Sequence, residues 1–147
     1  MKLLVCGDRN WSNRQFIMDV IQRIEWGSPA LTVIHGGCRG ADTLAESICD
    51  EMDLFSEVYQ ADWKKHGKAA GPIRNQQMLT DGKPDVVIAF HPSIETSKGT
   101  GGMVKLAGDA GLPVAVFTGS ETPSRVDDKV ADVLGSLAIR LETQRRM

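Results

Sequence analysis

Two glycine-rich segments of the sequence combine a flexible backbone with side chains that can bind an anion. The first glycine segment, residues 35–42, reads HGGCRGAD, and the second glycine segment, residues 98–102, reads KGTGG. Glycine lets a backbone turn tightly and approach a ligand, and the free N–H groups at the start of a helix attract phosphate. Neither segment has the Walker A or the GxGxxG pattern. Each is therefore either a phosphate-binding loop or a glycine-rich turn without a ligand.

Charged side chains in and around these segments are further candidate contacts. Arg9, Arg39 and Arg74 can each bind phosphate through two guanidinium nitrogens, or they form surface salt bridges instead. Asp42 can accept a hydrogen bond from a ribose hydroxyl, or it serves the helix that follows, whose first turn favours an acid. Both interpretations of each residue remain open at the level of sequence.

Histidine and tryptophan residues lie close to the same segments. His35 and His91 each follow an apolar run, where a histidine either contacts phosphate or bonds to the backbone. Trp11 and Trp63 can stack on a nucleobase. Trp26, near a helix end, is expected to pack instead.

Short apolar runs rich in β-branched residues predict five strands separated by amphipathic helices. The strands are predicted at Leu3–Cys6, Leu31–Ile34, Phe55–Tyr59, Asp85–Phe90 and Pro113–Phe117. All except the weaker third run are expected to be buried on both faces. Alternation of strands and helices favours right-handed crossovers and helices on both faces of a parallel sheet. We therefore predict an α/β fold, a doubly wound Rossmann-like domain with a five-stranded, mainly parallel sheet.

The loops that follow the predicted strands carry most of the unusual residues. Ligands of open parallel sheets bind beyond the carboxyl ends of the strands, where the strand order reverses. The two glycine segments fall at this edge, and so do most of the candidate charged, histidine and tryptophan residues. The strands, however, were assigned from apolar runs alone. This coincidence indicates a ligand site.

A closing helix at about 124–142 is predicted to complete a single domain that spans residues 1–147. Ser12 is the predicted cap of the first helix. The closing helix has an apolar stripe at Val126, Val130, Leu134, Leu137 and Leu141. Such a stripe packs on the sheet or forms a self-association surface, which would give a homodimer or a higher homo-oligomer.

Net charge and cysteine spacing limit the partners and the cellular compartment that the sequence predicts. The net charge of -2 provides no general attraction to nucleic acid or to anionic membranes, so nucleic acid is an unlikely partner. The three cysteines lack CxxC spacing, which indicates reduced thiols in the cytoplasm, or in the host cytoplasm if a phage encodes the chain. We predict no metal site, no cofactor and no membrane segment.

Three motifs resemble those of a known family. The sequence has GDRNW at 7–11, HGGCRGAD at 35–42 and ADWKKHGKAAGPIRNQQM at 61–78. In this order they closely resemble the YspA-like, cpYpsA-related branch of the SLOG superfamily, over roughly residues 1–117. The resemblance implies a small bacterial or phage protein with a Rossmann-like fold that binds nucleotides or nucleotide-derived ligands.

Two groups of the superfamily allow narrower comparisons. The phosphoribohydrolases have PGGxGTxxE and RKxxM motifs; Arg74–Met78 is similar to the second, and Gly99 and Thr100 match the GT of the first. The glutamate of the motif falls on Met103, which cannot transfer a proton. An N-glycoside hydrolase would therefore need another acid, and the candidate catalytic residues are Asp8, Asp42, Asp62 and Arg74. The first glycine segment is also similar to the SGxAxGID loop of the DNA-processing protein A family.

Together these observations predict one ligand site and three possible functions. The predicted ligand-binding residues are Gly7, Asp8, Arg9, Trp11, His35, Gly36, Gly37, Arg39, Gly40, Asp42, Trp63, Arg74, Asn75, Gly99, Thr100, Gly101 and Gly102. We favour binding or sensing of a nucleotide or nucleotide-derived small molecule. The alternatives are an N-glycoside hydrolase that acts on nucleoside monophosphates and a nucleic-acid accessory protein similar to the DNA-processing family.

Overall fold

The computed structural model describes residues 1–147 and contains one sheet of five parallel strands. The strands are β1 (Lys2–Gly7), β2 (Thr32–His35), β3 (Phe55–Val58), β4 (Val86–Phe90) and β5 (Val114–Phe117). Their order in the sheet is β3-β2-β1-β4-β5. Because β1 lies between β2 and β4, the winding of the chain reverses beside β1. The predicted α/β, doubly wound fold is confirmed.

Helices cover both faces of this sheet. They are α1 (Arg14–Gly27), α2 (Ala41–Met52), α3 (Trp63–His66), α4 (Ala70–Thr80), α5 (Gly99–Asp109) and α6 (Pro123–Arg146). The larger apolar core joins one face of the sheet to α1, α2 and α6, and the smaller core joins the other face to α4 and α5. Successive residues of β1 alternate between these cores, since Leu3 belongs to the larger and Leu4 to the smaller. None of the six helices combines the length and the hydropathy that a membrane span requires.

The edge strand β5 differs from the prediction of burial on both faces. Residues of β4 are buried throughout, because β1 and β5 flank this strand and helices cover it. In β5, Val114 and Val116 are only half-buried, since this strand has a neighbour on one side only. Phe55 of the opposite edge strand, β3, is 82% exposed.

Two local expectations are wrong. Asn13, and not Ser12, caps α1, because the Asn13 side chain accepts the N–H of Phe16. Trp26 is 72% exposed. The buried positions of α1 include Val20 and Ile24, and a residue two positions after Ile24 lies on the opposite side of a helix.

The closing helix α6 is longer than the predicted segment and packs on the sheet from Val126 to Leu137. Val126, Val130 and Leu137 of the predicted stripe are buried, and Val133 joins them. Leu141 is 50% exposed. The packed face of α6 therefore ends near Leu137, while the helix continues to Arg146.

Candidate ligand-binding site

Two adjoining cavities open at the carboxyl edge of the sheet, beside the position where the winding reverses. The larger cavity has a volume of about 320 Å³ and the smaller cavity about 260 Å³. The larger is lined by Cys6, Gly7, Asp8, Arg9, Asn10, Cys38, Arg39, Asp42, Arg74, Asn75, Met78, His91, Ser97, Gly99, Thr100 and Met103. The smaller is lined by Arg9, Gly36, Gly37, Cys38, Arg39, Gln60, Ala61, Trp63 and Arg74. This edge is where the sequence predicted a ligand site.

The first glycine segment is folded around the carboxylate of Asp42. Its Oδ2 accepts the N–H of Gly36 at 3.1 Å and that of Cys38 at 3.2 Å. The N–H of Gly37 donates to Nδ1 of His35 at 3.0 Å. Three consecutive backbone donors therefore already have partners inside the segment. Burial raises the pKa of Asp42, and the N–H group of Cys38 partly offsets that effect.

His35, the first residue of the first glycine segment, is buried and lines neither cavity. The residue is only 2% exposed, and its Nε2 lies 2.5 Å from Oε2 of Glu46. The hydrogen bond with His35 lowers the pKa of Glu46, which also accepts the hydroxyl of Ser56. Both ring nitrogens of His35 thus have partners within the protein. In this arrangement His35 holds the backbone of Gly37.

Arg74 connects the first glycine segment to α4 and faces both cavities. Only 8% of this residue is exposed. Its Nη1 donates to the Gly36 carbonyl at 2.7 Å, and its Nε donates to Oδ1 of Asn75 at 3.1 Å. Nη1 and Nη2 each lie 3.7 Å from Sγ of Cys38. Arg74 takes part in none of the ion pairs of the structure.

Two of the glycines make close contacts with other parts of the protein. A Cβ on Gly36 would lie 2.3 Å from Nη1 of Arg74. Gly40 has a φ of +82° and a Cβ there would lie 2.3 Å from the carbonyl oxygen of Asp8. The Asp8 carbonyl also accepts the N–H of Ala41. The loops after β1 and β2 therefore pack directly against each other.

Arg9 and Arg39 complete a group of three guanidinium-bearing residues around the two cavities. Both are exposed, and like Arg74 they line both cavities. The Cζ of Arg9 lies 6.0 Å from the ring centroid of Trp63, which is within the range of a cation–π contact. Neither forms an ion pair. The carboxylates on the walls are Asp8 and Asp42, both in the larger cavity.

The second glycine segment forms the start of α5. The Ser97 hydroxyl accepts the N–H of Thr100 at 3.1 Å and that of Gly101 at 3.3 Å. Gly99 and Thr100 line the larger cavity, whereas Gly101 and Gly102 do not. A Cβ on Gly99 or Gly102 would have no atom within 4 Å. Gly99 and Gly102 therefore relieve no close contact, whereas a Cβ on Gly101 would lie 3.3 Å from the Ile94 carbonyl oxygen.

Other predicted site residues lie apart from the two cavities. Trp11 packs on Phe16 and Phe90, and its Nε1 donates to the Asn13 carbonyl. It borders a separate, more open cavity. Asp62 caps α3 by accepting the N–H of Lys65 at 3.1 Å. These two side chains already have local packing or capping contacts.

Several wall residues were not among the predicted ligand-binding residues, although His91 was considered as a possible phosphate contact. They are Cys6, Asn10, Cys38, Gln60, Ala61, Met78, His91 and Ser97. Most of them lie in or directly beside the loops after the strands, so position at the carboxyl edge was the available signal. Met103 is buried and belongs to the smaller core as well as to the cavity wall. No group of three His, Cys, Asp or Glu side chains is placed to hold a metal ion.

Comparison with known proteins identifies the family. The model of the YspA, cpYpsA-related SLOG family (YAcAr) matches residues 1–66. The Gene 61 protein of Mycobacterium phage D29 is 36% identical over 122 residues, which covers 79% of this chain and 95% of that relative. The chain belongs to the YspA, cpYpsA-related SLOG family.

Two solved structures share the fold of this SLOG protein at low identity. DNA processing protein A (DprA) from Streptococcus pneumoniae has a TM-score of 0.65 and 18% identity, covering 91% of this chain and 56% of that chain. The UDP-GlcNAc 2-epimerase from Neisseria meningitidis, bound to UDP-GlcNAc, has a TM-score of 0.52 and 13% identity. It covers 95% of this chain and 44% of that chain. The chain spans about half the length of these two proteins, and the likeness shows a Rossmann-like α/β fold.

Proposed function

We propose that this protein binds or senses a nucleotide or a nucleotide-derived small molecule at the two cavities. The observation that carries the proposal is the guanidinium of Arg74, which is buried, faces both cavities and has no carboxylate partner. A buried charge is costly unless it is paired, and its contacts here are a carbonyl, an amide oxygen and a thiol. The charge of Asp42 acts on Arg74 without an ion pair between them, so a bound phosphate supplies the direct anionic partner.

Side chains, and not backbone N–H groups, recognise the phosphate in this proposal. The N–H groups of Gly36, Gly37 and Cys38 have partners within the first glycine segment, and Ser97 binds those of Thr100 and Gly101. Arginine forms bidentate hydrogen bonds to phosphate through its planar guanidinium. Arg74 is held rigidly, while the exposed Arg9 and Arg39 are free to close on a bound anion.

The remaining walls suit the other parts of a nucleotide. Trp63 is half exposed and offers an indole face for a nucleobase. Asp8 and Asn75 line the larger cavity and can accept hydrogen bonds from ribose hydroxyls. Asp42 lines it too, although its Oδ2 is engaged by the first glycine segment.

A thermal-shift screen of the full chain against nucleoside mono-, di- and triphosphates tests this proposal. A ligand at about 100 times its Kd adds about 2.7 kcal/mol to the free energy of unfolding, or roughly 5–10 °C in Tm for a chain of this size. Arg39→Ala and Arg74→Lys are expected to reduce the shift. The matched control is Arg125→Ala, an exposed arginine at the start of α6 outside both cavities. A shift that both site variants leave intact contradicts the proposal.

N-glycoside hydrolysis is a second candidate, favoured by the two carboxylates beside Arg74. Asp8 and Asp42 both line the larger cavity, and a buried carboxyl with a raised pKa is the usual form of a general acid. Incubation with each nucleoside monophosphate, followed by chromatography for free base, tests it. Release that Asp8→Asn and Asp42→Asn abolish supports hydrolysis, and no release from any nucleotide argues against it.

A further inference from the structure

The two cavities are parts of one site. They share four wall residues, Arg9, Cys38, Arg39 and Arg74. Small-molecule sites usually have volumes of roughly 300–1,000 Å³. The larger cavity, at about 320 Å³, is near the bottom of that range, and the smaller, at about 260 Å³, falls below it. Together they provide a volume well within that range.

The walls of the two cavities differ in chemistry. The smaller cavity has the indole of Trp63, the amide of Gln60 and no carboxylate. An amide both donates and accepts hydrogen bonds, as the edge of a nucleobase requires. The larger cavity has the carboxylates of Asp8 and Asp42, together with amide and hydroxyl side chains. Such groups suit a neutral ligand part with several hydroxyls.

Charge determines where a phosphate can lie between these parts. The three arginines occupy the shared wall, so an anion is most stable at the junction of the cavities. The larger cavity carries the carboxylates of Asp8 and Asp42, which repel a phosphate placed there, whereas the smaller cavity carries none. The phosphate is therefore expected in the middle of the ligand, with neutral groups on both sides.

We infer that the ligand class is a nucleoside diphosphate joined to a second, hydroxyl-rich group, such as a sugar. The base lies against Trp63 and Gln60, the diphosphate lies at Arg9, Arg39 and Arg74, and the hydroxyl-rich group enters the larger cavity. This inference rests on the proposed function and specifies its ligand.

Calorimetry with matched ligand pairs tests the inference. The pairs are ADP against ADP-ribose, UDP against UDP-glucose and GDP against GDP-mannose, each titrated into the full chain. For the preferred base, the conjugate is expected to bind roughly 10- to 100-fold more tightly than the free diphosphate, because it adds about ten atoms of contact. Equal or weaker binding of every conjugate overturns the inference, although the proposed function stands. No binding of any nucleotide overturns both.

Two exposed amide residues on different loops provide the matched variants. Gln60 lines only the smaller of the two cavities, and Asn10 lines only the larger. Gln60→Ala is expected to weaken the free diphosphate and the conjugate by the same factor. Asn10→Ala is expected to weaken the conjugate alone, by about fivefold, the effect of losing one hydrogen bond. Equal weakening of both ligands by Asn10→Ala contradicts the assignment of the hydroxyl-rich group to the larger cavity.

Discussion

The first and second glycine segments border the same larger cavity but are held in different ways. In the first, Asp42 and His35 bind backbone N–H groups, and Arg74 binds the Gly36 carbonyl. In the second, the Ser97 hydroxyl caps the start of α5. Gly36 and Gly40 relieve close contacts, whereas Gly99 and Gly102 face open space.

This difference shows why glycine content alone does not identify a phosphate-binding loop. A glycine-rich segment binds phosphate through its backbone only if its N–H groups lack partners. Here the carboxylate of Asp42, within the first glycine segment, already accepts the N–H groups of Gly36 and Cys38. The segment is therefore part of the scaffold that positions Arg74, and in the proposed function the charge for binding resides on side chains.

The largest effect on the free energy of unfolding is expected from Gly40→Ala. An added Cβ would lie 2.3 Å from the Asp8 carbonyl oxygen, and the φ of +82° is strained for alanine. We expect a loss of about 2–4 kcal/mol in the free energy of unfolding, measured by urea denaturation. A loss below about 1 kcal/mol would mean that the loops after β1 and β2 are not tightly packed together.

An intermediate effect is expected from Asp42→Asn. The variant keeps only one side-chain oxygen and places an amide NH2 beside the N–H groups of Gly36 and Cys38, which should destabilise the fold by about 1–3 kcal/mol. The control is Ser97→Ala, which removes the cap of the second glycine segment and should lose about 1 kcal/mol. A larger loss for Ser97→Ala than for Asp42→Asn would show that side-chain contacts hold the second glycine segment more strongly than the first.

The pH dependence of the Asp42→Asn effect sharpens this result. Burial raises the pKa of Asp42 above its ordinary value of 3.8, so the folded protein binds more protons than the unfolded chain just above that pH. The contribution of Asp42 to stability is then fully present below pH 3.8 and decreases as the pH rises through the folded pKa. The stability gap between the unsubstituted protein and Asp42→Asn should narrow over this window, while the Ser97→Ala gap stays constant. A gap that widens with pH would show that the folded protein favours the charged form.

The smallest effect on the free energy of unfolding is expected from Gly99→Ala. Unlike the other variants, this one should stabilise the fold. A Cβ at this position meets no atom within 4 Å, and the residue has a helical conformation. Alanine should stabilise the fold by about 0.4–1 kcal/mol, because it restricts the unfolded chain. Gly108→Ala, in the same helix and outside both cavities, is the control and should behave alike. Destabilisation by Gly99→Ala alone would show a backbone constraint at the second glycine segment.

The sequence predicted the sheet well and the site in part. Apolar runs such as Val86–Phe90 are long enough to mark a strand, since burial on both faces requires a continuous run. Position after a strand placed Arg9, Arg39 and Gly99 at the cavities. The two tryptophans after strands were indistinguishable in sequence, although Trp11 packs on Phe90 and Trp63 faces the smaller cavity. The capping residue of α1 was displaced by one position, because Ser12 and Asn13 are both good caps.

The sequence by itself determined that strands alternate with helices and that most of the unusual polar residues gather at the carboxyl edge of the sheet. These properties follow from local patterns of apolar residues and glycines. Only the tertiary structure decided which N–H groups of the glycine segments have partners, and that Arg74 meets Gly36 across 38 positions of the chain. Such contacts depend on how α4 packs against the loop after β2, and no local pattern encodes that packing.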